Sequence, residues 1–292
     1  PHILTARVKT HMRLKEVNDL LKDQNVILEE IVQKRTQELV NLNQSLARFV
    51  PEEFLTHLNK QSIVEVNLGD HIEKEMTILF ANIRNFTTMS EQLTPEKNFE
   101  FLNFYLSEMG PLIREHNGFI DKYIGDAIMA LFPKSANDAL NAAIAMLKLL
   151  PEHNHAQEKR GNLPIDIGIG LHTGLLMLGT VGEYNRMETT VISDAVNLAS
   201  RMESLTKTYG ASLLITDNTF YSLSDPSQYT IRLIDRDTVK GKTKETGVFE
   251  VLDGEPSEIK NKKLFNKPMQ LNANHILVKT EVEAKVLIEE LN

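Results

Sequence analysis

The chain has 292 residues, of which 41% are hydrophobic and 25% are charged, the composition of an ordinary globular protein with one or two domains. Its formal net charge of −8 argues against a general nucleic-acid binder, because such proteins gather positive charge to replace the counterions of the phosphates. The chain has no cysteine, which excludes disulfides, thiolate metal sites and cysteine nucleophiles.

The sequence carries no sign of a membrane span or of secretion. No stretch approaches the ~18 consecutive apolar residues of a spanning helix, and no basic segment followed by an apolar one opens the chain as in a signal peptide. We therefore expect a cytoplasmic protein without a membrane span. The first residue is Pro1 rather than methionine, so we also expect a piece of a longer chain.

Residues 1–50 predict a long amphipathic helix, because no glycine or proline occurs between Leu14 and Phe49. The apolar residues follow steps of three, four or seven, first in one register and then in a register shifted by four: Leu14, Val17, Leu21, Leu28 and Ile31, then Leu39, Leu42, Leu46 and Phe49. This pattern favours a parallel coiled-coil dimer with a stutter. A single helix lying on a globular domain is the alternative. Pro51 is expected to end the helix, and residues 51–73 to form a linker.

Residues 74–253 predict one α+β domain, since strand and helix periods alternate along them. The strand-like segments are Met76–Ala81, Phe119–Ile124, Ala127–Phe132, Ile165–Leu171, Ser212–Thr216 and Tyr229–Val239. The helical segments are Asn98–His116, Ala136–Leu150 and Ser193–Tyr209. The order β-α-β-β-α-β with extra elements predicts a ferredoxin-like sheet. His153 and His155 are expected to lie solvated in a polar loop. Residues 254–292 predict a linker, a short strand and an amphipathic helix.

Two strand ends carry candidate metal ligands. Asn82 follows a buried strand in "ILFANIRNFT", and Asp126 lies in the turn of "FIDKYIGDAIMALF". Oxygen-bearing side chains on adjacent strand ends could hold two Mg²⁺ ions together with phosphates. A Gly-Asp turn taken alone is equally well explained as a plain hairpin.

Polar residues near the end of the domain suit a nucleotide. In "TVISDAVNLASRME", Asn197 and Arg201 are four residues apart and share a helix face, where an amide and a guanidinium could contact a sugar and a phosphate. An exposed polar face, to which Ser193, Ser200 and Glu203 would also belong, is the alternative. Lys240 and Lys242 flank a glycine in "DTVKGKTKET" and could reach a triphosphate, or could form a basic surface turn.

With these motifs in order, residues 74–253 resemble the class III nucleotidyl cyclases, closest to the bacterial adenylate cyclases. The segments that carry the resemblance are "ILFANIRNFT", "FIDKYIGDAIMALF", "GIGLHTG", "TVISDAVNLASRME" and "VKGK". The resemblance implies a head-to-tail homodimer with two composite sites. It also implies that ATP is converted to cyclic AMP and pyrophosphate by attack of the ribose 3′ oxygen on the α-phosphorus, with two Mg²⁺ or Mn²⁺ ions as cofactors.

The family roles carry over to matching positions. The resemblance implies that Asp126 binds metal, that Lys122 and Thr190 read the adenine ring, that Asn197 orients the ribose and that Arg201 stabilises the transition state. Lys240 resembles the triphosphate lysine, with Lys242 as the less favoured choice. A guanylate cyclase would be expected to carry Glu and Cys-like residues at positions 122 and 190, so this pair favours adenine.

Asn82 departs from the family pattern, which has a metal-bridging aspartate there. One missing charge at ~4 Å amounts to about 4 kcal/mol at an effective dielectric constant near 20, or roughly a thousandfold in rate if nothing compensates. We therefore expect impaired catalysis at Asn82. A catalytically silenced dimer that binds ATP or signals by contact is the alternative function.

Both ends of the chain carry weaker resemblances. Ala6–Leu21, "ARVKTHMRLKEVNDLL", is similar to the last helix of a response-regulator receiver domain running into a signalling helix, which implies an upstream receiver domain. "NANHILVKTEVEAKVLIEEL" resembles the first strand and helix of a parvulin-type prolyl isomerase. We assign this terminal segment no activity, because too few residues follow to complete such a domain.

Overall fold

The computed structural model describes residues 2–46, 49–161, 163–238, 245–265 and 277–278. The chain divides into two units, Pro1–Glu52 and Glu53–Asn292. Among the described helices, none is both long enough and apolar enough to cross a membrane.

The first unit is dominated by one helix, α1, at His2–Leu46. This confirms the predicted long helix, although it ends before Phe49 and Pro51. The main-chain N–H groups of Phe49 and Val50 both donate to the Leu46 carbonyl, as the chain leaves the helix. The apolar residues of the predicted seam are exposed: Leu14 by 61%, Leu21 by 51% and Leu28 by 56%. Surfaces of this kind are normally buried against a partner.

The second unit contains seven further helices among its described residues. They are α2 (Glu52–His57), α3 (Phe86–Ser90), α4 (Pro95–Glu115), α5 (Ala136–Lys159), α6 (Asp194–Tyr209), α7 (Asp217–Tyr221) and α8 (Ser257–Phe265). The strands are β1 (His71–Ile83), β2 (Phe119–Ile124), β3 (Ala127–Phe132), β4 (Ile167–Glu183), β5 (Arg186–Ile192), β6 (Leu213–Thr216), β7 (Ile231–Thr238), β8 (Glu245–Val251) and β9 (Leu277–Val278).

All the described strands join one sheet, in the order β2-β3-β1-β4-β6-β8-β7-β9, and β5 pairs with β4 beyond this path. The β4–β6 pair is parallel, whereas β1 pairs antiparallel with both β3 and β4. This arrangement of helices and one sheet confirms the predicted mixed α+β class.

The sheet buries apolar side chains on both of its faces. The odd-numbered residues Leu79, Ala81 and Ile83 of β1 belong to the core that includes α4 and α5. The even-numbered residues Met76, Ile78 and Phe80 pack in a second core with Ala195 and Ala199 of α6. Because successive strand residues point to opposite faces, Asn82 continues the even series and lies on the α6 face.

Several predicted strands were too short. β1 extends beyond Ala81 to Ile83 and so includes Asn82, and β4 continues from the predicted strand through to Glu183. The strand β8 was missed. The final predicted amphipathic helix lies outside the described residues.

The prediction that His153 lies in a solvated loop is wrong. The helix α5 continues through Pro151 to Lys159, because the apolar period of Leu147 and Leu150 continues with buried residues on the same side. His153 is fully buried, bonds through Nδ1 to the Glu108 carboxylate and stacks on a ring of α4. His155 is exposed.

Candidate active site

Asp126 is held at the end of β1 by the backbone of the neighbouring strand. The β2–β3 turn is made by Gly125, whose φ of +64° is accessible to glycine at little cost. The next residue, Asp126, accepts a hydrogen bond through Oδ2 from the Ile83 main-chain N–H at 3.2 Å. Because β1 and β3 pair Ala81 with Ile128, Asn82 lies between two contacts that join these strands.

The polar groups at this strand end are partly removed from water. Burial raises the pKa of Asp126, and hydrogen bonds from its own main-chain N–H and that of Ile83 oppose the shift. The Asn82 side chain is half-buried, and its Oδ1 is a buried acceptor with no hydrogen-bond partner among the described residues. A buried acceptor without a donor is costly, so this oxygen is suited to a cation.

The donor set fits a divalent cation that keeps other ligands. Asp126 offers a carboxylate and Asn82 a neutral amide oxygen, both hard donors that Mg²⁺ and Mn²⁺ accept. In the described part of the chain, no three His, Asp or Glu residues cluster so as to hold a metal ion by themselves. Mg²⁺ commonly binds through one or two carboxylates and the phosphates of a substrate, which matches this sparse set.

Lys122 lies on β2 and reaches towards β5. Its Nζ donates to the Thr189 carbonyl at 3.4 Å, one residue before Thr190. The Asp121 carboxylate is also 3.5 Å from this ammonium group. The register of β2 against β3 shifts at Asp121, between Ile120 and Lys122. The structure therefore brings the segment of Thr190 close to Lys122, as a shared role in base recognition requires. It also places Asp121 beside this ammonium group, an acid that the sequence analysis did not single out.

Asn197 and Arg201 lie on α6, which is fixed tightly against the sheet. Ser193 caps the helix by accepting from the Ala195 main-chain N–H. The close approach depends on Gly170, since a Cβ there would stand 2.1 Å from the Glu203 main-chain nitrogen. Asn197 is exposed and Arg201 is half-buried.

Glu203 is a second acid that the sequence analysis did not assign to the site. It was grouped with the polar face of its helix, but one of its carboxylate oxygens lies above β4 next to Gly168. Sequence spacing gave no signal for this contact, because it depends on a glycine far away in the chain.

The two predicted triphosphate lysines, Lys240 and Lys242, lie outside the described residues.

Comparison with known proteins identifies the domain. Residues 70–251 match the family described as the adenylate and guanylate cyclase catalytic domain. The chain is 43% identical over 254 residues to a protein of Anabaena cylindrica named adenylate cyclase, covering 85% of this chain and 50% of that protein. It is 41% identical over 228 residues to "Adenylate cyclase, terminal-differentiation specific" of Dictyostelium discoideum, covering 76% of this chain and 10% of that one.

A solved structure has the same fold. The structure of a bacterial light-regulated adenylyl cyclase aligns with a TM-score of 0.66 at 24% identity, covering 80% of this chain and 68% of that chain. The chain spans half or less of the length of the two curated relatives above. The predicted class III cyclase domain is confirmed: the chain belongs to the adenylate and guanylate cyclase catalytic domain family.

Proposed function

We propose that this chain is an adenylate cyclase output domain that converts ATP to cyclic AMP and pyrophosphate. The observation that carries the proposal is the position of Lys122, whose ammonium group lies against β5 beside Thr190. The names of the two curated relatives, both adenylate cyclases, support the same choice.

Lys122 and Thr190 suit adenine rather than guanine. An ammonium group is a donor only, and a threonine hydroxyl can donate or accept. Adenine offers a ring nitrogen as acceptor and an amino group as donor on its pairing edge, whereas guanine offers two donors and one acceptor there. A donor-only ammonium can pair with the adenine ring nitrogen but would leave the ring N–H of guanine without an acceptor.

The reaction joins the ribose 3′ oxygen to the α-phosphorus as the bond from that phosphorus to the bridging oxygen of the β-phosphate breaks. Pyrophosphate leaves, and the 3′ hydroxyl proton passes to solvent. Asn197 orients the ribose, Arg201 stabilises the charge that builds on the α-phosphate, and Lys240 holds the triphosphate. Asp126 and Asn82 would hold two Mg²⁺ or Mn²⁺ ions, which supply Lewis-acid stabilisation of the phosphate oxygens when bound.

We propose that each site is shared by two chains. Glu203 faces β4 near the metal-binding strand end. At 3.6 residues per turn, Arg201 is about 160° away from Glu203 around α6. Arg201 therefore points away from the Asp126 of its own chain and is suited to the site of a partner. Exposed apolar residues on β4 and β5, including Leu175 at 59% and Ile192 at 61%, offer a surface for that partner.

The apolar stripe of α1 supports a coiled coil as the second contact between the chains. A helix pair that rotates or changes its pairing can bring the two halves of a site together or hold them apart. It can do so without contacting the side chains of the site. The similarity of Ala6–Leu21 to the end of a receiver domain supports an upstream receiver domain as the input.

We retain three finer predictions as parts of this proposal. The domain organisation is 1–50, 51–73, 74–253 and 254–292. The first elements of the catalytic domain form a ferredoxin-like unit, supported by the strand order β2-β3-β1-β4 with α4 and α5 sharing one core. Asn82 lowers activity relative to an aspartate at the same position.

The test of this proposal is product formation from ATP in the presence of Mn²⁺, followed by chromatography with cyclic AMP and pyrophosphate standards. Asp126→Asn should abolish the product in a chain that remains folded. A silenced contact module is the second candidate, favoured by the amide at Asn82. A chain that dimerises but makes no cyclic AMP, even with Asn82→Asp, would move that candidate ahead.

A further inference from the structure

We propose that Glu203 supplies the second carboxylate of the divalent-metal site and so replaces part of the charge that Asn82 lacks. This inference rests on the proposed function, because it concerns the ions that the cyclase site would hold. It gives Glu203 a role beyond the polar helix face to which its sequence context assigns it.

Asn82 stands opposite a glycine of β4. Asn82 is paired with Gly168 in the antiparallel β1–β4 ladder. Directly opposed residues of such a pair project to the same face of the sheet, with Cβ atoms about 4.5–5.5 Å apart. The side chain of Asn82 therefore stands beside the space above Gly168, which has no side chain of its own.

Two side chains of α6 reach the space above Gly168. A Cβ built on Gly168 would lie 3.3 Å from Glu203 Oε1 and 2.3 Å from the Thr206 hydroxyl. Gly168 thus leaves a gap that the Thr206 hydroxyl fills and that the Glu203 carboxylate borders, both reaching it from α6. The other oxygen, Oε2, accepts a hydrogen bond from Ser204 at 3.4 Å, which leaves Oε1 directed at the sheet.

Charged and polar groups surround the Glu203 carboxylate. Burial raises the pKa of Glu203 most, and the negative charge of Asp126 raises it further, while Ser204 and Arg84 act in the opposite direction. The Arg84 guanidinium is engaged with the Ala211 carbonyl at 2.5 Å.

The amide oxygen of Asn82 is an acceptor without a donor among the described residues. Asn82 Oδ1 is buried and has no hydrogen-bond partner in the described part of the chain. Asn82 is paired with Gly168, above which the Glu203 carboxylate lies, and the next residue of its strand, Ile83, donates to the Asp126 carboxylate. An amide acceptor flanked by two acids is poorly served by other protein groups but well served by a divalent cation. Together the three side chains offer two negative charges, as two aspartates would.

The test is Mn²⁺ binding without nucleotide, measured as the rise in the unfolding midpoint with Mn²⁺ up to about 20 mM, since a ligand of the native state raises that midpoint. The variants are wild type, Glu203→Gln, Glu203→Asp, Asn82→Asp and the double variant Asn82→Asp/Glu203→Gln. The matched control is Glu258→Gln, which removes one charge from an exposed position on α8.

Wild type should be stabilised by Mn²⁺, and Glu203→Gln should need roughly 10- to 100-fold more of the ion for the same shift. Glu203→Asp keeps the charge and should lose much less. In the Asn82→Asp background the Gln substitution should have a clearly smaller effect, because the carboxylate introduced at position 82 already supplies the charge. Glu258→Gln should match wild type.

An equal response of wild type and Glu203→Gln would overturn the proposal, as would the same loss in both backgrounds. A wild type that ignores Mn²⁺ while Asn82→Asp responds would also overturn it and leave the proposed function standing. If neither chain responds, Glu203 does not help to hold an ion in the nucleotide-free chain and the proposal is overturned, whereas the proposed function is tested separately by cyclic AMP formation from ATP.

Discussion

The Ile83 main-chain N–H donates to Asp126 Oδ2 at 3.2 Å, which fixes a carboxylate of the β2–β3 turn at the end of β1. This contact joins two segments 43 residues apart. It brings Asp126 to the strand end that carries Asn82, so we expect the charge at position 82 to affect the proposed reaction.

Asn82→Asp should raise cyclic AMP formation. An aspartate adds a formal charge next to Asp126, and the expected gain is about tenfold or more, equivalent to roughly 1.4 kcal/mol of transition-state stabilisation. The measurement is the initial rate with Mg²⁺ and with Mn²⁺. Equal rates for the two chains would show that the amide costs nothing and that our account of Asn82 is wrong.

Substituting both base-reading residues should change the nucleotide that is used. Lys122→Glu/Thr190→Cys replaces a donor-only group by an acceptor that suits the ring N–H of guanine. We expect kcat/KM for ATP to fall by roughly 100-fold or more and GTP to become the better substrate. The control is Glu188→Gln, which alters a neighbouring exposed side chain of β5. An unchanged preference for ATP would exclude these residues from base recognition.

The exposed stripe of α1 predicts a specific loss of dimerisation. Leu28→Asp puts a charge into the proposed seam and should shift the chain towards monomer in sedimentation equilibrium, because a buried unpaired charge is unfavourable. Gln33→Asp adds the same charge outside the stripe and should leave the dimer intact. Equal behaviour of the two variants would argue for the alternative, a helix that does not pair.

The contact of α6 with the sheet predicts a large cost at Gly170. A Cβ there would lie 2.1 Å from the Glu203 nitrogen and 2.5 Å from the Ala199 carbonyl, and helix backbone cannot yield as a flexible side chain does. Gly170→Ala should lower the free energy of unfolding by about 3 kcal/mol, measured by urea denaturation. Gly110→Ala in α4 meets only side-chain atoms, at 3.4 Å or more, and should be neutral or stabilising.

Much of the fold could be predicted from the sequence, because local periods set its elements. β2 and β3 have the predicted bounds, since two short strand-like segments on either side of a Gly-Asp turn specify a hairpin. The predicted helix ended at Leu150, before Pro151, but α5 continues to Lys159. Burial of His153 on the continuing apolar face outweighs the cost of the proline. At such a position, tertiary packing overrides the low helix propensity of proline.

The proposed role of Glu203 could not be predicted for a different reason. Asn82, Lys122, Asp126, Asn197 and Arg201 could be proposed from motifs whose spacing is local. Glu203 could not, because its position depends on the absence of a side chain at Gly168, 35 residues earlier by the numbering of the chain. A gap left by a glycine is visible only once the strand and the helix are in contact.

The most direct test of the central claim is complementation between two inactive chains, made in a cell that expresses both. Asp126→Asn disables the metal half of a site, and Arg201→Ala disables the half that acts on the phosphate. If each site takes one half from each chain, a heterodimer has one intact site, and random pairing should restore about a quarter of wild-type cyclic AMP formation. If both halves belong to one chain, the mixture will be as inactive as each variant alone, and the shared site will be contradicted.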